Sequence, residues 1–240
     1  MAAVHLNAVS TDIWQVTTEI RQPGGVRLPL NMTVVRLSAG LVVVSPIPVD
    51  DLTARKIDAL GTVSELIAPS LLHHLHIDAA RTRWPWARVL APPGLAVKRP
   101  DLRVDGELPG AAPQAWRGTL DLLVVGGAPR LAETVLFHRA TGTLICADLV
   151  FHVTRPANWR TRFVLWLMGV GGGRVAQSRA WRLLTTDRNR VCADFEHILG
   201  WPVRCIAFGH GEPYGGADAR ERLARAFVFP LHTLSTGRAT

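Results

Sequence analysis

Three hydrophobic segments of this sequence each run into a short stretch that carries histidine or aspartate. In chain order these residues are His74, His76, Asp78, Asp148 and His210. Imidazole nitrogen and carboxylate oxygen are ligands that suit Zn²⁺, Mn²⁺ or iron. The residue types therefore predict a metal site, with those five side chains as its candidate ligands.

The three segments that precede these residues are predicted to be β-strands. They are the apolar, β-branched runs Val63–Ala68, Thr143–Cys146 and Val203–Phe208. In α/β proteins the loops at strand ends carry binding groups, because the rigid sheet fixes side chains that the loop leaves exposed. The last candidate, His210, stands between two glycines, which permit a close approach of neighbouring backbone.

Further elements follow from turn residues and apolar spacing. Thr33–Leu37 and Leu41–Val44 are separated by Ser-Ala-Gly and predict a hairpin, and a second hairpin is expected to end before Asp148. A helix of about ten residues is predicted after the Asp50-Asp51 pair. The apolar spacing of Val175–Leu199 predicts a long amphipathic helix with a break near Thr186.

Length and composition favour one α/β domain over residues 1–240. The chain has 48% hydrophobic residues, enough for a full core. Its longest apolar run, Phe163–Val170, is far shorter than a membrane span, so no such span is expected. Met1–Thr11 lacks the pattern of a secretory signal, and the three cysteines form no close pair, so we expect a cytoplasmic location.

The strong positive charge has two interpretations. A formal net charge of +8 could favour nucleic acid, an anionic membrane or an acidic substrate. However, nearly all basic residues are arginines spread along the chain, and the dense stretch Arg174–Arg190 has the spacing of a helix with one solvated face. Because no nucleic-acid-binding motif accompanies the charge, no nucleic-acid partner is expected. The sequence does not specify the oligomeric state.

The order of the candidate ligands resembles that of the metallo-β-lactamase fold superfamily. His-x-His-x-Asp at residues 74–78 is followed by an aspartate after a hairpin and by Gly-His-Gly after a final strand. The resemblance covers about Thr33 to His210 and implies a four-layer αββα sandwich.

Other stretches look more specifically like a bacterial and plant family of unknown function within that superfamily. They are His5-Leu6-Asn7, Met32–Leu37, Ser45-Pro46-Ile47, Ala68-Pro69, His73-His74-Leu75, Ala91–Leu95, Glu133–His138, Thr143-Leu144-Ile145 and Asp148-Leu149. This resemblance extends over most of the chain. It implies a fold but supplies no function.

The sequence departs from the motif of active superfamily members at two points. Ala79 stands where the first motif ends in histidine, and Val124–Thr134 contains no histidine where a further one is expected. Carried over, one half-site would keep His74, His76 and Asp148, and the other would keep Asp78, His210 and Asp148. Glu133 or Glu212 could add a carboxylate ligand. Alternatively, Glu133 could hydrogen-bond a loop, and Glu212 could be a solvated residue.

A different register of the first motif is an open alternative. The family resemblance includes His73-His74-Leu75, so that histidine pair could be structural and His76 and Asp78 could match the motif by chance. Under that alternative the ligand set that the superfamily implies would not transfer to these residues.

The resemblance implies a metal-dependent hydrolase with a reduced ligand set. Metal-activated water would attack an ester, lactone, thioester or similar bond of a small-molecule substrate, with Asp78 as the catalytic residue. One or two zinc ions are expected, with manganese or iron as alternatives. Arginines at 155, 160 and 162 could hold an anionic substrate or could be surface residues. The alternative is a degenerate, metal-free domain that binds a ligand or a protein.

One apolar stretch has no assigned role. It contains Trp159, Phe163, Trp166, Leu167 and Met168. Packing in the core is the default expectation for such residues, and a lid, a partner surface or a shallow membrane contact are the alternatives.

Overall fold

The computed structural model describes residues 5–110 and 112–229. Two β-sheets lie within these residues. The first contains, in spatial order, β1 (Leu6–Ser10), β2 (Ile13–Gln22), β3 (Val26–Leu37), β4 (Gly40–Val44), β5 (Val63–Ile67), β6 (Arg88–Ala91) and β7 (Gly106–Glu107). The second contains β12 (Tyr214–Gly215), β11 (Cys205–Ala207), β10 (Thr143–Ile145), β9 (Thr134–His138) and β8 (Leu120–Val124).

Within the described residues, seven α-helices accompany the two sheets. They are α1 (Asp51–Asp58), α2 (Ile77–Arg83), α3 (Leu95–Lys98), α4 (Trp159–Met168), α5 (Arg179–Leu184), α6 (Arg188–Gly200) and α7 (Ala219–Ala226). None of the helices in residues 5–110 and 112–229 is long and apolar enough to cross a membrane.

The two sheets pack face to face because their strands carry apolar residues on both sides. Successive side chains of a strand point to opposite faces. Val35 of β3 and Val42 of β4 accordingly face the second sheet, where they meet Leu136. Val34 and Val43 face the opposite way, towards helices.

Helices cover both outer faces. Ile57 of α1 and Trp84, directly after α2, pack on the first sheet. Trp181, Phe195 and Leu223, from α5, α6 and α7, pack on the second sheet. The layers are therefore helix, sheet, sheet, helix, and the predicted four-layer αββα sandwich is confirmed.

Several local predictions are confirmed with their physical reasons. β3 and β4 form the expected antiparallel hairpin, with Thr33 opposite Val44. Asp50 caps α1 by accepting a hydrogen bond from the Thr53 N–H at 2.7 Å. The helix predicted over Val175–Leu199 begins only at Arg179, and it is broken near Thr186 as expected, because Asp187 caps a new helix there by accepting from the Arg190 N–H at 3.0 Å.

Two features differ from the predictions. β2 and the first half of β3 form a long antiparallel ribbon, with Gln22 opposite Val26. The sequence did not predict this ribbon, because polar residues interrupt its apolar pattern. The apolar stretch at residues 159–168 is a helix, and its large side chains are exposed rather than packed in the core. α4 buries Thr161 and Leu165 instead.

The prediction of one domain covers residues 1–240. Residues 1–4, 111 and 230–240 lie outside the described part of the chain, and they include the beginning of Met1–Thr11, which lacks the pattern of a secretory signal.

Candidate metal centre

Three loops bring two histidines and an aspartate together. His73 follows β5 of the first sheet, whereas Asp148 and His210 follow the parallel strands β10 and β11 of the second sheet. His73 Nε2 lies 3.3 Å from Asp148 Oδ2, and His210 Nε2 lies 3.4 Å from Asp148 Oδ1. The two Nε2 atoms are 3.1 Å apart. These residues form a group that could hold a metal ion.

A turn at Ser70 orients His73. Ser70 Oγ accepts hydrogen bonds from the N–H groups of Leu72 and His73, at 3.2 and 3.1 Å. His73 Nδ1 then lies 2.9 Å from Ser45 Oγ, at the end of β4. Because Nδ1 is engaged by this hydroxyl, Nε2 is the nitrogen that faces Asp148.

His210 is oriented by the neighbouring sheet. Its Nδ1 donates to the Pro29 carbonyl oxygen at 2.7 Å, so in the neutral ring Nε2 keeps its lone pair. Asn31 fixes the loop that carries His210. Its backbone N–H donates to Gly209 O at 2.8 Å. Its side-chain Nδ2 donates to Phe208 O at 2.9 Å and to Gly211 O at 2.6 Å. β3 therefore fixes both the tautomer and the position of this histidine.

The glycines beside His210 are required by packing. A Cβ atom on Gly209 would lie 2.6 Å from the Ala147 carbonyl oxygen. Gly211 has a φ of +102°, and a Cβ atom there would lie 2.0 Å from the His152 carbonyl oxygen. The Gly-His-Gly sequence thus lets the loop lie directly against the Asp148 loop, as the sequence suggested.

Glu133 holds the Asp148 loop from the protein interior. Its fully buried carboxylate accepts hydrogen bonds from the N–H groups of Ala147, Asp148 and Leu149, at 2.8, 3.0 and 2.9 Å. Burial, followed by the negative charge of Asp148, raises the pKa of Glu133 to about 8. Of the two roles considered for Glu133, the structure places it as a loop partner.

Glu212 also contacts a loop. Its Oε2 accepts a hydrogen bond from the Thr154 N–H at 2.9 Å.

The donor set fits a metal ion. Asp148 Oδ2 is buried and has no hydrogen-bond partner among the described residues. Burial would raise the pKa of Asp148, but His73 and His210 outweigh it and hold that pKa well below its usual range. Nitrogen and oxygen ligands about 2.0 to 2.2 Å from a tetrahedral zinc ion lie about 3.3 Å apart. The observed separations of 3.1, 3.3 and 3.4 Å have this size.

Two of the five predicted ligands, Asp148 and His210, lie in this cluster, and His73 is the third member. His74 is directed elsewhere, and its Nδ1 accepts a hydrogen bond from Arg99 Nη1 at 3.2 Å. Asp78, the predicted catalytic residue, is 59% exposed and lies 3.4 Å from Arg99 Nη2. The structure therefore does not bring His74 and Asp78 to the cluster, because the Ser70 turn directs His73 inward.

His76 lies nearer to the cluster, on the wall of a cavity above it. The cavity has a volume of about 230 Å³, and its polar lining includes His73, His76, Asp148 and His210. Burial lowers the pKa of His76 below its ordinary value of 6.5. The ring is therefore uncharged at neutral pH and can accept a proton.

The rest of the cavity wall is mainly apolar. Its apolar side chains are Ile20, Leu28, Leu30, Pro46, Leu72, Leu75, Phe151 and Met168. No arginine of the described residues lines it. Arg160, for example, donates to the Gly24 carbonyl oxygen at 3.3 Å and lies over the Trp159 ring. The structure therefore gives no support to the proposed anionic-substrate role of arginines 155, 160 and 162.

Comparison with known proteins identifies both a family and a fold. The profile of a family described as "Domain of unknown function (DUF4336)" matches residues 11–160. No protein in the curated set matches this sequence.

Solved structures with the same fold include metallo-β-lactamases. One from Pontibacter korlensis has a TM-score of 0.64 at 15% identity, covering 91% of this chain and 96% of its own. One from Hirschia baltica has a TM-score of 0.60 at 16% identity, covering 92% and 94%. FIM-1 from Pseudomonas aeruginosa, in a mono-zinc form, has a TM-score of 0.61 at 14% identity, covering 94% and 95%. The predicted metallo-β-lactamase-like fold is confirmed.

Proposed function

This chain belongs to the family described as a domain of unknown function, DUF4336, and we propose that it is a metal-dependent hydrolase. The observation that carries the proposal is the convergence of His73 Nε2, His210 Nε2 and Asp148 Oδ2, which accepts no hydrogen bond from the described residues, at a mainly apolar cavity. Two nitrogen lone pairs and a carboxylate facing one another are stabilised by a cation between them.

Zinc is the ion that we assign to this site, with one ion per chain. Two imidazole nitrogens and one carboxylate are a ligand set found in catalytic zinc sites, which keep a further position open. Within the described residues these side chains form one cluster, which supports a single ion rather than two. FIM-1, one of the proteins of similar fold, has been solved in a mono-zinc form.

The chain's own residues prepare this centre. The Pro29 carbonyl keeps the proton of His210 on Nδ1, and Ser45 engages Nδ1 of His73, so both Nε2 atoms are presented to the cluster. Glu133 fixes the backbone of Asp148. The chemistry that a divalent ion would supply there is Lewis acidity, which acidifies water and polarises the bond to be cleaved.

We assign His76 as the proton acceptor in place of the exposed Asp78. It lines the same cavity, and burial keeps its ring uncharged at neutral pH. A positioned base of this kind contributes about 10² to 10⁴ in rate. Asp78 lies outside the cavity wall and is paired with Arg99, which leaves it without a route to the substrate.

The cavity wall indicates the substrate class. Its apolar side chains would contact an alkyl or acyl group, and no arginine or lysine of the described residues lines it to bind an anion. The substrate that fits is a small, uncharged ester, lactone or thioester with an apolar group beside the bond to be cleaved.

The test is hydrolysis of p-nitrophenyl acetate and p-nitrophenyl hexanoate by protein loaded with zinc and by protein treated with EDTA. We expect the hexanoate to be the better substrate, zinc to be required, and H210A and D148N to lose at least about a hundredfold in kcat/KM. The exposed His197 on α6 gives a matched control, H197Q, which should keep full activity. Activity that survives EDTA, or that H210A retains, would overturn the proposal. Protein that neither holds zinc nor cleaves these esters would favour the non-catalytic, ligand-binding alternative.

A further inference from the structure

α4 exposes large apolar side chains that packing would normally bury. Trp159, Phe163, Trp166 and Leu167 are 65%, 55%, 63% and 55% exposed. Aromatic residues bury large areas when they are packed, so leaving this group in water carries a considerable free-energy cost. Such a patch on a folded protein commonly marks a surface that binds something else.

The exposed side chains form one stripe along the helix. Positions 159, 163, 166 and 167 are spaced i, i+4, i+7 and i+8, which places them on one face. Thr161 and Leu165 are buried on the opposite face, against the protein. The helix therefore presents an apolar face outward while its inner face holds it on the fold.

Arginines border this stripe on both sides. At 3.6 residues per turn, Arg160 and Arg162 flank the line of apolar residues on opposite edges. Helices that lie in a membrane interface often combine tryptophan and phenylalanine with arginine. Their aromatic rings enter the headgroup region, and their cations contact anionic lipids.

The chain segment that contains α4 carries charges of one sign. Residues 149–186 contain no aspartate or glutamate. They contain six arginines, Arg155, Arg160, Arg162, Arg174, Arg179 and Arg182. None of the six forms an ion pair with a described carboxylate. The segment that carries the stripe thus has a charge complementary to an anionic surface.

We propose that α4 docks this protein onto the surface of an anionic lipid bilayer. The helix has ten residues, about half the length needed to span a membrane, so it lies in the plane of the interface. Its last residue, Met168, lines the cavity above the metal cluster, and Leu72 and Leu75 of that cavity wall are 47% and 64% exposed. Docking through α4 would bring this apolar cavity close to the lipid. The docking itself does not depend on hydrolytic activity.

Co-sedimentation with lipid vesicles tests the proposal. We expect the protein to bind vesicles of phosphatidylcholine containing about one quarter phosphatidylglycerol at least about tenfold more tightly than vesicles of phosphatidylcholine alone. Raising the salt from about 0.1 M to about 0.5 M should weaken the binding. Equal binding to both vesicles, or binding to neither, would overturn the proposal.

Variants of exposed residues locate the docking surface. F163S/W166S should lose at least about tenfold in affinity for the anionic vesicles. L52S/V97S is the matched control, because Leu52 and Val97 are 56% and 87% exposed outside the 149–186 segment. The control should bind like wild type, and both variants should keep the wild-type melting temperature. Unchanged binding by F163S/W166S would contradict a docking role for α4.

Two charge-reversal variants distinguish lipid docking through α4 from a general effect of net charge. R162E/R174E should weaken vesicle binding by more than R117E/R130E, which changes the same charge at exposed sites outside the 149–186 segment. Equal losses in the two variants would overturn the assignment to α4. A wild-type dimer in light scattering that F163S/W166S converts to a monomer would show that a second copy covers the stripe. If the protein binds duplex DNA as tightly as vesicles and R162E/R174E abolishes that binding, nucleic acid covers the stripe instead of lipid.

Discussion

His73 Nε2 lies 3.1 Å from His210 Nε2, although 137 positions separate the two residues in the chain. The contact joins a loop of the first sheet to a loop of the second sheet. Because the Pro29 carbonyl holds the Nδ1 proton of His210, the neutral ring directs a lone pair at His73 and at the Asp148 carboxylate. This convergence of ligand atoms at the meeting of two sheets underlies the assignment of a metal centre.

The backbone at Gly211 is predicted to be essential for this convergence. Gly211→Ala would place a Cβ atom 2.0 Å from the His152 carbonyl oxygen, at a φ of +102°. We expect a loss of more than about 3 kcal/mol in the free energy of unfolding, measured by urea denaturation. Gly172→Ala is the control: it shares the positive φ, at +87°, but has nothing within 4 Å, so about 1 kcal/mol is expected. Equal effects of the two substitutions would contradict the close packing of the loops.

Glu133 is predicted to make stability depend on pH. Its pKa is raised from 4.5 to about 8 in the folded protein, first by burial and then by Asp148. Between these values the folded state holds a proton that the unfolded chain has released. The contribution of Glu133 to stability is therefore fully present below about pH 4.5 and is lost as pH rises to about 8, by at most about 1.4 kcal/mol per pH unit.

Denaturation of metal-free protein at several pH values measures this effect. Glu133→Gln cannot titrate, so the difference in unfolding free energy between wild type and this variant should shrink as pH rises from about 5 to about 8. Burial lowers the pKa values of His74 and His76. Their titration therefore makes both proteins more stable as pH rises towards about 6.5. This contribution is the same in wild type and variant, so it cancels in the difference. A difference that is constant over this range would contradict a buried, titrating Glu133.

His76 is predicted to act in proton transfer and not in metal binding. His76→Gln should lower kcat for p-nitrophenyl hexanoate by about tenfold or more, with zinc content unchanged. The acidic limb of the wild-type pH profile should also disappear, because the variant lacks the titrating base. His74→Gln, which alters a side chain directed at Arg99, should keep the pH profile. Loss of zinc from His76→Gln would instead make this residue a ligand.

The family resemblance implied the layers of the fold, and local sequence signals predicted the strands and the loops that carry the site. A β-branched run such as Thr33–Leu37 predicts a strand, and a capping residue such as Asp50 marks a helix start. The glycines beside His210 likewise indicated a close backbone approach. These signals are local, which is why they could be interpreted without the structure.

The ligand register and the role of α4 are not local properties. Whether His73 or His74 faces Asp148 is decided by the Ser70 turn and by Ser45, which comes from another strand. The resemblance to His73-His74-Leu75 was the signal that could have identified His73. For α4, the apolar residues matched a core helix equally well, and burial of Thr161 and Leu165 decides the outcome.

Zinc binding by His73→Ala and His74→Ala tests the central claim most directly. After equilibrium dialysis against zinc, elemental analysis should find about one ion per chain in wild type and in His74→Ala. His73→Ala, and the less disruptive His73→Gln, should hold less than about a tenth of an ion while keeping the wild-type melting temperature of the metal-free protein. Zinc retained by both His73 variants and lost from His74→Ala would contradict the account.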